Sequence, residues 1–99
     1  MNAFVYLMAS RRNGTLYIGS TTNLIQRAHQ HRNGSIDGFT KQHGCRHLVW
    51  FEAHDNIAGA RGREVRMKRW KRGWKLREIE ASNSGWRDLY DEIAGVERS

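Results

Sequence analysis

The chain opens with a continuous apolar run, FVYLM at 4–8, rich in aromatic and β-branched residues. A run of this length bounded by turn residues predicts a buried strand. SRRNG at 10–14 supplies turn chemistry, with Asn-Gly the strong hairpin pair. A second run, TLYIG at 15–19, returns as the partner strand. Tyr6 and Tyr17 therefore fall on neighbouring antiparallel strands. Whether they share a face depends on register, which the pattern leaves open.

The period then becomes helical. Ser20, Thr21 and Thr22 are candidate N-caps for a helix over about 22–32, and Gly34 is a natural stop. Leu24, Ile25 and Ala28 form its apolar side. Arg27 and His31, four residues apart, border that side and can reach a groove beside the sheet. Residues 34–44 read as a loop with a helical turn near 39–43. RHLVWFEAH at 46–54 predicts a third strand. Asp55 or Asn56 caps a helix over 57–75, whose first turns are weakened by Gly59 and Gly62. KLREIEAS at 75–82 continues beyond a break at Gly73, and 85–95 carries a short amphipathic helix. The order β-β-α-β-α-α-α predicts a small α/β (α+β) domain, a three-stranded antiparallel sheet flanked by helices. It spans 1–95, with a short tail at 96–99.

Charge narrows the function. Seventeen Lys and Arg, thirteen of them Arg, face ten Asp and Glu, for a net charge of +7. Such an excess points first to nucleic acid, and arginine suits phosphate because its planar fork donates two hydrogen bonds at once. A solvated surface accounts for part of the charge. An anionic membrane surface fits less well, because no basic helix has a strongly apolar opposite face. No run reaches the roughly 20 apolar residues of a membrane span. The first ten residues lack a basic leader and read as a strand rather than a signal peptide. Cys45 is the only cysteine, which excludes an internal disulfide and suits a reducing cytoplasmic setting.

The basic residues are concentrated. Arg61, Arg63, Arg66, Lys68, Arg69, Lys71, Arg72, Lys75 and Arg77 are nine of the seventeen cations. They surround Glu64, which shares a helical stripe with Ile57, Ala60, Met67 and Trp74. A carboxylate on a core-facing stripe is costly unless it is paired or binds a cation. Pairing with Arg61 or Lys68 is one reading. A metal ligand at the floor of a cleft is the other, since Mg²⁺ is held by few carboxylates plus water and substrate phosphate. Trp70 and Trp74 read as core anchors rather than base-stacking platforms. Phenols such as Tyr6 and Tyr17 can move protons when a cation lowers their pKa, Arg27 can steady charge on a phosphoryl oxygen, and His31 can relay a proton. His43, Cys45 and His47 alternate, but they lack the paired ligands of a structural zinc site.

Taken together, VYLMAS and LYIGSTTNLIQRAHQHR resemble the GIY-YIG nuclease module. The first signature is degenerate, with Phe4-Val5 where the family has Gly-Ile ahead of Tyr6 and Leu7. The second, Tyr17-Ile18-Gly19, is intact. Arg27 and His31 match the arginine and histidine of the family's first helix, and Glu64 matches its metal-binding glutamate. NSGWRDLY resembles the tail of small single-domain bacterial members, with Ser84-Gly85 departing from their Asn-Pro-Trp element.

The resemblance implies a Mg²⁺- or Mn²⁺-dependent endonuclease. Glu64 would hold the metal, Tyr6 or Tyr17 would help activate water, Arg27 would steady the pentacovalent phosphate, and His31 would position a proton. Gly19 and Asn83 would support the site. Arg61, Arg63, Lys68, Lys71, Arg72 and Lys75 would contact DNA. So small a module has little surface for reading sequence, so selectivity would follow structure, such as nicks or branches. The alternative is a DNA- or RNA-binding module that does not cut. A partner protein and the oligomeric state stay open.

Overall fold

A computed structural model describes residues 2–35 and 43–95 of the chain. The helical turn expected over 39–43, but for His43, and the tail at 96–99 lie outside the described residues. Strands β1 (Ala3–Ala9), β2 (Leu16–Thr21) and β3 (His47–His54) form an antiparallel sheet of order β2-β1-β3. The described helices are α1 (Leu24–Arg32), α2 (Ile57–Lys68), α3 (Arg72–Ser82) and α4 (Tyr90–Ala94). The expected order β-β-α-β-α-α-α is the observed one.

The most apolar strand takes the centre, and alternation divides its side chains between two cores. Ala3, Val5, Leu7 and Ala9 face α2 and α3 in one cluster with Ile18, Trp50, Ala60, Met67 and Ile79. Tyr6 and Met8 face α1 and α4 in the other, with Leu24, Ala28, Leu48 and Leu89. A register shift opposite Leu7/Met8 lets Val49 and Trp50 both serve the first core. The hairpin turns where expected, but over the longer loop 11–14, closed by the Ser10 amide donating to the Thr15 carbonyl, rather than as a two-residue Asn-Gly turn. Asn13 adopts a left-handed φ of 58°, and the amide of Gly14 donates to the Arg11 carbonyl at 2.9 Å.

Several boundaries differ from the pattern-based expectation. The N-cap of α1 is Asn23, whose side chain accepts from the Gln26 amide, rather than Ser20, Thr21 or Thr22. Ile25 is exposed, and His31 takes the buried place beside Leu24 and Ala28. Asn56 caps α2 through the Gly59 amide. The break after α2 falls at residues 69–71 instead of Gly73, which lies inside α3. That rotation takes Trp74 off the stripe of Ala60 and Met67 and leaves it 53% exposed. The last helix is shorter than 85–95, because residues 83–89 are tied down in a non-helical form. Asp88 accepts from the Leu48 amide, and the Leu89 amide donates to the Leu48 carbonyl.

Candidate active site

Register decides whether the tyrosines meet. Tyr6 pairs with Gly19 and Met8 with Tyr17, so both phenols project from the same face as diagonal neighbours. Gly19 makes this possible. A Cβ there would stand 2.6 Å from the Tyr6 hydroxyl and 3.1 Å from the Tyr17 ring. The intact glycine of the second signature is thus the floor on which the two rings lie.

Helix α1 brings the next two groups. Tyr6 Oη and His31 Nε2 are 3.1 Å apart, and the His31 ring lies against both phenols, with centroids 5.6 Å from Tyr6 and 5.3 Å from Tyr17. Tyr6 is 1% and His31 2% exposed. Arg27, one turn before His31, lies within electrostatic reach of the Tyr6 hydroxyl. Burial pushes the Tyr6 phenol well above its ordinary value, with the Tyr17 phenol and the Glu64 charge adding to the rise and Arg27 opposing it. Burial, with the Arg27 charge acting in the same direction, lowers His31 to about 4. At neutral pH both groups are therefore uncharged.

Among the described residues the buried Nδ1 of His31 has no hydrogen-bond partner, so the contact between Nε2 and the Tyr6 hydroxyl is the one that holds the ring.

Glu64 approaches from the opposite face. Ser20 follows Gly19 on β2, so alternation points it toward α2, and its hydroxyl donates to Glu64 Oε1 at 2.5 Å. Lys68 Nζ pairs with the other oxygen at 2.6 Å. The Glu64 side chain is 17% exposed and that of Lys68 54%. Glu64 raises Tyr6, and Tyr17 helps raise Lys68, so the carboxylate and the phenols lie within electrostatic reach of one another across edge strand β2. Both readings of Glu64 thus meet in one residue, a shallow carboxylate already paired with Lys68.

This donor set fits a hard divalent cation. Among the described residues no cluster of three or more His, Cys, Asp or Glu forms a closed metal cage. A single shallow carboxylate instead suits an ion that keeps its waters and takes oxygens from a phosphate. Lys68 is a flexible, exposed side chain, so its place on Oε2 can be vacated.

The remaining candidates divide. Arg61, Lys68 and Lys71 are exposed and Lys75 half-buried. Arg63 is held by Glu52 at 3.1 Å, with its guanidinium 5.0 Å from the centre of the Trp70 ring. Arg72 donates to the carbonyls of Asn13 and Gly14, clamping the first hairpin to α3. Asn83 is buried, and its amide is consumed by backbone. Nδ2 donates to the Val49 and Arg87 carbonyls, and Oδ1 accepts from the Arg87 amide. Cys45 is buried and donates to the Thr15 carbonyl, while His47 pairs with Asp88. Ser20 is the residue that sequence reading missed, having been assigned to a cap. Its signal was the strand period, which turns it away from Gly19 toward the helix that carries Glu64.

The chain is similar to known proteins of one family. The family model described as the GIY-YIG catalytic domain matches residues 2–77. A UPF0213 protein of Pediococcus pentosaceus is 32% identical over 77 residues, covering 78% of this chain and 81% of the relative. One from Clostridium perfringens is 34% identical over 80 residues, covering 81% and 85%. The solution structure of a UPF0213 protein from Bacillus halodurans shares the fold, with a TM-score of 0.54 at 24% identity over 92% of this chain and 96% of that one. The phenol pair on its glycine floor, the arginine and histidine of α1 and the glutamate of α2 are therefore features of a chain that belongs to the GIY-YIG family, a family of nuclease domains.

Proposed function

We propose that this chain is a Mg²⁺- or Mn²⁺-dependent endonuclease that cleaves DNA phosphodiester bonds and selects its substrate by structure rather than sequence. The observation that supports the reading is the meeting of Tyr6, Tyr17 and His31 over Gly19, where an added methyl would displace the phenols, with Arg27 and Glu64 within electrostatic reach of Tyr6.

The roles follow from burial and charge. Arg27 is the fixed cation, placed to donate to a phosphoryl oxygen as negative charge develops there. His31, neutral, aims Tyr6 and holds its hydroxyl in one orientation. Tyr6 keeps its proton and acts as a donor, because its buried anion is disfavoured. Tyr17 is only partly buried and is the phenol that water or phosphate can reach. Glu64, steadied by Ser20, would hold the divalent ion, which when bound supplies positive charge to the scissile phosphate. Arg61, Lys71 and Lys75 would meet the backbone phosphates.

A second reading, a module that holds DNA or RNA without cutting it, draws on one observation, the ion pair that occupies Glu64. One experiment separates the two. Purified protein is titrated with Mg²⁺ and Mn²⁺ against labelled duplex, nicked and branched DNA, beside Glu64→Ala. The endonuclease reading expects metal-dependent cleavage by the wild type and binding without cleavage by the variant. No cleavage of any substrate by the wild type selects the binding module, and cleavage by Glu64→Ala removes the metal assignment.

A further inference from the structure

We infer that the face of α3 bearing Trp74 is a stacking site for an unpaired nucleobase of the bound nucleic acid. The inference rests on the nucleic-acid substrate proposed above.

Trp74 is 53% exposed, although a residue this large ordinarily buries. It stands over a groove of about 390 Å³ lined by Trp70, Trp74, Arg77, Glu78 and Ala81, a volume in the range of small-ligand sites. One wall is fixed. Trp70 packs against the first core, carries the Arg63 guanidinium on its ring, and meets Trp74 edge-to-face at 6.0 Å and 69°. An edge-to-face contact leaves much of the Trp74 ring face uncovered.

The chemistry around the ring selects the occupant. Residues 69–78 contain Arg69, Lys71, Arg72, Lys75 and Arg77 against one acid, Glu78. That segment attracts a polyanion and repels a second copy of itself, which argues against self-association on this face. Arg77 can donate to base acceptors and Glu78 can accept from base amino groups. Stacking on an indole needs an open base face, which a base inside an intact duplex does not offer. Glu64 lies on α2 and Trp74 on α3, the helix that follows it in the chain. The groove would thus take a base from a flap, gap or fork of the bound DNA.

The test measures binding in EDTA, so that no cleavage intervenes. Four labelled DNAs share one duplex: blunt, with a single-stranded 5′ overhang, with a 3′ overhang, and with an abasic overhang carrying the same phosphates. Wild type should bind one base-bearing overhang about tenfold more tightly than the blunt or abasic form. Trp74→Ala should lose that advantage and keep its blunt-duplex affinity, Trp74→Phe should retain most of it, and the overhang should shield Trp74 from iodide quenching. Thermal unfolding and sedimentation of both variants verify that fold and association state are unchanged. An overhang advantage that survives Trp74→Ala, or that the abasic strand reproduces, overturns the inference. So does an equal loss on blunt duplex, or a dimer that the substitution dissociates. Duplex binding without any overhang advantage removes this inference and leaves the proposed function standing. Failure to bind any of the DNAs removes both.

Discussion

The Tyr6 hydroxyl and His31 Nε2 lie 3.1 Å apart inside the protein, joining β1 to α1 across 25 positions of sequence. Neither group reaches solvent to an appreciable extent, and burial keeps each neutral. The pair serves stability and site geometry together, because it fixes a phenol that lies within reach of the Arg27 charge.

Acid should therefore unfold the protein in part through His31. Its folded-state pKa is lowered from 6.5 to about 4 by burial and the Arg27 charge. Between these values the unfolded chain binds a proton that the folded chain refuses, so stability rises with pH across that window. The contribution is complete above pH 6.5 and fades as pH falls toward about 4. It amounts to about 3 kcal/mol. Urea unfolding at pH 7 and pH 4.5 should show a larger acid loss for wild type than for His31→Phe, which cannot titrate. Equal losses would show that His31 is not the group responsible.

Gly19→Ala should damage the site more than its single methyl suggests. The added Cβ meets the Tyr6 hydroxyl at 2.6 Å, and Tyr6 is closed in by His31 and Tyr17 and has little room to give. Overpacking of this kind costs about 1–3 kcal/mol. A lowered melting temperature and shifted Tyr6 and His31 ring signals in NMR spectra are the expected results. A variant that cuts DNA at the wild-type rate with unmoved rings would refute the role given to this glycine.

Much of the fold was legible because the chain changes period cleanly. FVYLM and TLYIG are too short and too apolar for surface helices, and Asn13-Gly14 fixes the turn between them. Tyr6, Tyr17, Arg27 and His31 could be named because they fall at signature spacings, and Gly19 could be read with them. What the sequence hid was tertiary. Which side of α1 is buried depends on the groove it packs into, so His31 went inside and Ile25 did not. The break at 69–71 carries no glycine or proline to mark it, so Trp74 read as core and is exposed. Ser20 showed its partner only once β2 was seen to lie beside α2.

Lys68 competes with the proposed metal for Glu64. It pairs with Oε2 at 2.6 Å from a side chain 54% exposed, and exposed pairs of this kind contribute at most about 1 kcal/mol. Lys68→Met should therefore tighten Mn²⁺ binding by about two- to fivefold. Calorimetric titration of the protein without nucleic acid measures this directly. Weaker Mn²⁺ binding in the variant would mean that Lys68 supports the site rather than blocking it.

Asn83 should prove structural. It ties the end of α3 to β3 and to the segment before α4 through three hydrogen bonds. Asn83→Ala strands the buried Val49 carbonyl and should cost about 1–3 kcal/mol. Cleavage measured well below the melting temperature should be close to wild type. A large loss of turnover in a fully folded variant would return Asn83 to the catalytic site.

Two kinds of basic residue should separate by salt. Arg61 and Lys71 are exposed and have no charged partner among the described residues, so each is available to a phosphate. Arg63 and Arg72 instead spend their donors on Glu52 and on the Asn13 and Gly14 carbonyls. Removing a phosphate contact reduces the slope of log K against log salt by about 0.9. Arg61→Ala and Lys71→Ala should each flatten that slope by about this amount with little change in melting temperature. Arg63→Ala and Arg72→Ala should lower the melting temperature and leave the slope nearly intact, because Arg63 is paired with Glu52 and the Arg72 fork is turned onto the hairpin carbonyls. Filter binding at a series of salt concentrations, paired with thermal unfolding, tests all four. If Arg72→Ala changes only the slope, its hairpin clamp yields to DNA, and the backbone path runs over the first turn as well as along α2 and α3.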